Sequence, residues 1–274
     1  MKKIIAAALL SFSLNSFADN APLWLRFCSI SPDGQTIAFS YKGDLFSVPV
    51  NGGIAKQLTT NPAYDAYPIW SPDGQKIAFA STREGSMDIY LMNKNGGVPK
   101  RLTTNSGSEI PMAFTDNNHV LFSSAIMPTA KSIFFASGTF PQTYEVNIDA
   151  SRPRLYSPIT MCDANVKSNG DILYHDVKGY EDNFRKHHRS PVTRDIWLYS
   201  KGNYTKLTNF DGEDRTPVWG NNTNEYYYLS EEDGTFNVYK RNIDGSGKKQ
   251  LTFHKANPVR FLTVANNGTI CYGY

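Results

Sequence analysis

The 274-residue chain has little cysteine, almost no net charge and no long apolar run beyond its start, and each shortage removes a class of function. Three cysteines, Cys28, Cys162 and Cys271, are too few for a disulfide framework, and no two stand at metal-ligand spacing. Their places in or beside apolar stretches read as buried thiols, with one pair as the alternative. The formal charge is +3. Removing Lys2 and Lys3 with a leader leaves 26 basic residues against 25 acidic ones, so the mature chain has no broad electrostatic footprint for nucleic acid. No segment after residue 18 is long and apolar enough to span a bilayer. The chain also lacks G-x-S-x-G, H-E-x-x-H, a phosphate-binding glycine loop and C-x-x-C, so no nucleophile has an assignable base and no catalytic residue, metal or cofactor is expected.

What is present begins with a leader. MKK precedes a mostly apolar stretch from Ile4 to Leu14, and small residues at Ser16 and Ala18 fit cleavage before Asp19. Residues 1–18 therefore read as a signal peptide, and the mature protein as exported, periplasmic or extracellular.

The rest is a repeat. "ISPDGQTIAFS" from Ile30 returns as "WSPDGQKIAFA" from Trp70, with weaker copies from Phe114, Val166, Trp219 and Val264, at intervals of 40, 44, 52, 53 and 45 residues. Periods of that size indicate propeller blades or arrays. In each copy an apolar strand ends at a turn, where Pro fixes φ, Asp bonds back to the backbone and Gly accepts a left-handed conformation. A β-branched and aromatic strand follows. Third strands open at Asp44, Asp88, Gln142, Asp195 and Asn237, and fourth strands carry an L-T-T-like sequence that places Leu58, Leu102, Leu155, Leu207 and Leu251 in register.

Four antiparallel strands per unit make an all-β propeller over residues 19–274, with blades starting near 23, 66, 109, 159, 215 and 258. Five blades are complete. The sixth supplies two strands, which predicts a six-bladed type with an unpaired edge at Tyr272 and an open junction with the first blade. On this reading the chain is the front part of a longer protein.

The two long intervals arise between strands two and three of blades three and four, where long loops bind or pack against something. In blade three, Ile126, Met127, Ile133, Phe134, Phe135 and Phe140 form an apolar insertion that reads either as an interface or as self-packing. In blade four, Arg185, Lys186, His187, His188 and Arg189 form a basic insertion. It reads as a solvated loop, an anion or peptide-carboxylate contact, or a domain-docking surface. Adjacent histidines in an extended loop point to opposite sides, which disfavours a shared metal. His119, His175 and His254 read as packed or surface histidines.

"GYEDNFRKHHRSPVTRDIWLYSKGNYTKLTNFDGEDRTPVW", residues 179–219, resembles the corresponding segment of the tricorn-like serine peptidases. "APLWLRFCSISPDGQTIAFSYKGDLFSVPVNGGIAKQLT" and "TFPQTYEVNIDA" are similar to that family's opening blades. The S-P-D-G repeat alone is shared with TolB-like and prolyl-oligopeptidase-type propellers. The resemblance implies a six-bladed propeller followed by a seven-bladed propeller, a PDZ domain and a catalytic region holding the serine, its histidine and the oxyanion hole, none of which matches residues of this chain. It thus implies a non-catalytic channel, sieve or docking role, with downstream domains of the same polypeptide and peptides as partners and room for a homo-oligomer. Two alternatives remain: a stand-alone TolB-like protein-binding propeller, and a propeller lyase on acidic sugars with His187 or His188 at a metal.

Overall fold

The computed structural model describes residues 24–126, 141–179, 189–222 and 224–274. Five four-stranded antiparallel sheets follow one another along the chain. The first holds β1 (Arg26–Ile30), β2 (Thr36–Tyr41), β3 (Asp44–Pro49) and β4 (Lys56–Gln57); the second holds β5 (Asp65–Trp70), β6 (Lys76–Glu84), β7 (Ser86–Asn93) and β8 (Gly96–Arg101). The third holds β9 (Glu109–Asp116), β10 (His119–Ser124), β11 (Gln142–Asn147) and β12 (Arg154–Ser157); the fourth holds β13 (Cys162–Val166), β14 (Ile172–His175), β15 (Ile196–Ser200) and β16 (Asn203–Lys206). The fifth holds β17 (Asp214–Trp219), β18 (Glu225–Ser230), β19 (Asn237–Asn242) and β20 (Lys249–Gln250). A two-stranded sheet of β21 (Arg260–Val264) and β22 (Ile270–Gly273) completes the series.

Strands within a sheet are consecutive in sequence, and most are joined by tight turns; the β10–β11 and β14–β15 connections are the two long ones. At "SPDG" the Gly34 N–H donates to the Ser31 carbonyl at 2.8 Å and the Asp33 carboxylate accepts from the Gln35 N–H at 3.0 Å. Gly34 sits at φ +74°, the left-handed conformation that glycine takes at least cost. The turn at Ser71–Gly74 repeats these bonds, with Gly74 at φ +66°. The L-T-T threonine has an equally local task. Its hydroxyl accepts an N–H in the first half of the third strand: Leu45 on Thr59 at 2.9 Å, Ile89 on Thr103 at 2.9 Å, Ile196 on Thr208 at 3.0 Å and Val238 on Thr252 at 2.8 Å.

Both faces of a blade are apolar, so consecutive blades bury them against each other. Ile89 and Leu91 of the second sheet pack with Val120 and Phe122 of the third, and Leu173 and Ile196 of the fourth with Tyr226 and Tyr228 of the fifth. Each such side chain, fully buried, contributes about 1.5–3 kcal/mol. Similar clusters join the first sheet to the second, the third to the fourth and the fifth to β21–β22.

The described residues form five full blades and a partial, two-stranded sixth sheet, the count that the repeats predict. Three other expectations need correction. The junction of the sixth sheet with the first blade is closed along the inner edge: the Ile30 N–H donates to Thr263 Oγ1 at 3.1 Å and the Asn266 N–H to the Pro32 carbonyl at 2.9 Å. β22 is the outer strand of its two-stranded sheet. Leu155 is 43 % exposed and out of register with the other fourth-strand leucines, because a bulge opposite Thr143 and Tyr144 shifts β12 by one residue and brings Tyr156 onto the core. The thiols are half-buried, and Cys28 and Cys271 are neighbours across the junction instead of isolated.

Candidate functional site

The innermost strands β1, β5, β9, β13, β17 and β21 follow one another around an axis and enclose a cavity of about 1470 Å³ lined by every unit. Strands that converge on an axis must twist strongly, and a bulge supplies twist. β9 shifts register between Pro111 and Ala113, and the other five break it at the same point across two residues, between Arg26 and Ser29, Ala66 and Ile69, Cys162 and Asn165, Arg215 and Val218, and Arg260 and Thr263. Inside each break one residue turns left-handed: Phe27 (φ 52°), Tyr67 (55°), Asp163 (49°), Thr216 (48°) and Phe261 (58°). The equivalent place in β9 is Pro111, whose ring holds φ negative. All six residues line the cavity.

The wall is chemically divided. On one arc Phe27 lies between Tyr67 and Phe261, with ring centroids 4.0 and 4.9 Å away. On the opposite arc the Thr216 hydroxyl donates to Asp163 Oδ2 at 2.7 Å, and the Thr216 N–H points at His175 Nδ1 at 3.4 Å. His175 is 3 % exposed, and burial pulls its pKa down to about 4, with the Asp163 carboxylate at 3.6 Å opposing. The imidazole is therefore neutral near pH 7. Arg194 and Arg215 also line this arc, and Arg215 donates to the Glu213 carboxylate at 2.6 Å.

Thr, His and Asp within reach of one another invite a catalytic reading, and the bonding opposes it. In a Ser–His–Asp-type triad the imidazole stands between the hydroxyl and the carboxylate. Here the hydroxyl bonds directly to the carboxylate, while the nearby imidazole nitrogen accepts from the Thr216 backbone. Among the described residues no group of three or more His, Cys, Asp and Glu is placed to hold a metal.

The residues singled out from sequence lie elsewhere. Arg185, Lys186, His187, His188, Ile133, Phe134, Phe135 and Phe140 fall outside the described residues; Arg189 is described, exposed and away from the cavity. The described end of the apolar insertion, Ile126, packs on the core between the second and third blades. His119 opens β10 and sits between Asp116 and Asn147, and His254 stacks on Tyr274 at 3.7 Å. Sequence reasoning missed the channel residues because it followed what repeats. Their signal is the reverse, a position two or three residues into each inner strand that the repeat leaves variable.

Residues 22–274 match the family described as the tricorn protease N-terminal beta propeller domain. A 71-residue stretch is 35 % identical to tricorn protease homolog 1 of Streptomyces coelicolor, covering 26 % of this chain and 6 % of that protein. Among solved structures, the tricorn protease superposes with a TM-score of 0.73 at 20 % identity, over 92 % of this chain and 25 % of that one. TolB from Acinetobacter baumannii superposes with a TM-score of 0.63 at 18 % identity, over 86 % of this chain and 56 % of that one. The chain thus spans a small part of the peptidases it matches, and the structural likenesses are likenesses of fold. Fold, repeat and family match agree, and the chain belongs to the tricorn protease N-terminal β-propeller family.

Proposed function

We propose that this propeller is a non-catalytic segment of an exported tricorn-like peptidase, in which the axial channel passes or sorts extended peptides for proteolysis carried out by other domains of a longer polypeptide. The observation that carries the reading is the axial cavity of about 1470 Å³, walled by all six inner strands and divided into an apolar and a polar arc. Export rests on the leader at residues 1–18, and a mature N-terminus at Asp19 on mass analysis would support it. The basic insertion at Arg185–Arg189 and the apolar insertion around Ile133–Phe140 are the surfaces on which neighbouring domains would dock.

The test is to mix the purified chain with fluorogenic and unlabelled peptides. Saturable binding without hydrolysis is expected; hydrolysis abolished by serine-directed inhibitors would overturn the non-catalytic assignment. The likeness to TolB supports a second reading, a stand-alone propeller that binds a folded protein. That reading gains if the chain ignores peptides and captures a folded partner on its rim.

A further inference from the structure

The bulges around the axis require a left-handed residue, but they do not require an aromatic one. Asn, Asp and Gly enter that conformation most readily, and Asp163 follows the rule. Phe27, Tyr67 and Phe261 break it on three consecutive units, at φ 52°, 55° and 58°. A residue type that stands against its backbone preference points to use of its side chain. The three rings touch in series, at 4.0 and 4.9 Å, yet all remain half-buried and face the cavity. They therefore form an apolar strip that is wetted on one side rather than a closed plug.

Across the axis stand Asp163 and Thr216. In a ring of six inner strands the first faces the fourth and the second faces the fifth, which sets Phe27 opposite Asp163 and Tyr67 opposite Thr216. The Asp163 charge reaches the other side: the Tyr67 hydroxyl is pushed up mainly by burial, with Asp163 among the charges that add to it. The Asp163 side chain is half exposed, and its bond to the Thr216 hydroxyl leaves further lone pairs for a donor.

We infer that this ring is a selective constriction that holds an extended peptide by an aromatic side chain laid on Phe27, Tyr67 and Phe261, with the peptide's free amino terminus turned toward Asp163. The inference rests on the peptide-handling role proposed above and narrows it to a ligand class. Aromatic faces favour offset or edge contact with another ring, and an ammonium group suits a carboxylate whose geometry is already held by a hydroxyl.

Calorimetry on the full chain decides the matter with three peptides of equal length: one beginning with Phe, the same peptide N-acetylated, and one beginning with Ala. The Phe peptide is expected to bind roughly tenfold more tightly than the Ala peptide and several-fold more tightly than its acetylated form. Phe27→Asn and Phe261→Asn suit the left-handed backbone but give up the Phe27–Phe261 contact at the junction of the sixth sheet with the first blade, so they should lower the melting temperature modestly while bringing the Phe peptide down to the affinity of the Ala peptide. Asp163→Asn should erase the difference between free and acetylated peptides. Equal binding of Phe and Ala peptides by the unaltered chain overturns the constriction and leaves peptide handling standing; this arm needs no variant to fold. No binding of any of the three removes both.

Discussion

At the scale of single residues, two features of the ring carry measurable consequences. Gly34 and Gly74 occupy the same turn position at positive φ, so replacing either with Ala costs about 1–2 kcal/mol of backbone strain. Their surroundings differ. A Cβ on Gly34 would stand 2.5 Å from Asn267 Nδ2, on the turn that joins the sixth sheet to the first blade, whereas a Cβ on Gly74 meets only Pro32 at 3.6 Å. Gly34→Ala is therefore expected to lower urea stability more than Gly74→Ala, and equal losses would show that Asn267 swings away freely. His175 sets a pH limit. Its folded pKa of about 4 lies below the ordinary 6.5, so the unfolded chain takes up the proton first as the medium is acidified. The contribution is complete above about pH 6.5 and is lost as pH falls toward 4, by up to about 3 kcal/mol. A His175→Gln variant should flatten stability against pH in that window; an unchanged slope would mean that other groups cause the acid loss.

At the scale of elements, the junctions between blades are where buried charge collects. Asp65, Glu109 and Asp214 each open an inner strand and are buried. Asp65 is neutralised by Arg83 at 2.7 Å. Glu109 is not so served, because the nearby Arg101 pairs with Asp88 at 2.7 Å. Burial pushes the Glu109 carboxyl up to about 7, the Thr103 hydroxyl opposes, and the Asp88 charge adds to the rise. Asp214 is pushed up to about 6, again mainly by burial. These groups act with the opposite sign to His175. A raised folded pKa favours the folded state below the unfolded value, and that advantage is lost as pH rises through the folded one. Glu109→Gln should thus stabilise the protein at pH 8 by about 2 kcal/mol relative to the unaltered chain, and change it little at pH 5. Denaturant melts at both pH values check it, and a variant destabilised at pH 8 would refute it. The blades themselves were legible in the sequence, because turn chemistry and strand periodicity are local and repeat. The one-residue slip of Leu155 was not, since it depends on how β12 pairs with β11, with Tyr156 as the extra residue of a bulge. Nor were the channel residues, whose left-handed conformation is imposed by convergence on the axis, or the meeting of Cys28 with Cys271, which lie far apart in the chain and come together only when the ring closes.

At the scale of the whole molecule, the ring is uneven. Five of its six junctions enclose clusters of buried apolar side chains. Among the described residues the sixth, between β21–β22 and β1, has no such cluster. It relies on the Phe27–Phe261 ring contact, the bonds from Ile30 to Thr263 and from Asn266 to Pro32, a long bond at 3.4 Å from the Asn267 side-chain amide to the Asp33 carbonyl and a weak Cys28 thiol contact to the Phe261 carbonyl. A net hydrogen bond is worth about 1 kcal/mol, so two or three of them fall well short of a junction that buries several large side chains. Stability in a stacked array is close to a sum of unit and neighbour terms, and opening starts where the neighbour term is smallest. Native-state hydrogen exchange should accordingly find residues 259–273 and the amides of β1 exchanging by local opening well before β10, β14 and β18. Adding urea should move the early set little and the late set strongly, because only the late set exchanges through global unfolding. Exchange of β21 and β22 in step with β14 would instead mean that the inner hydrogen bonds and the aromatic contact alone hold the ring as firmly as its apolar junctions do.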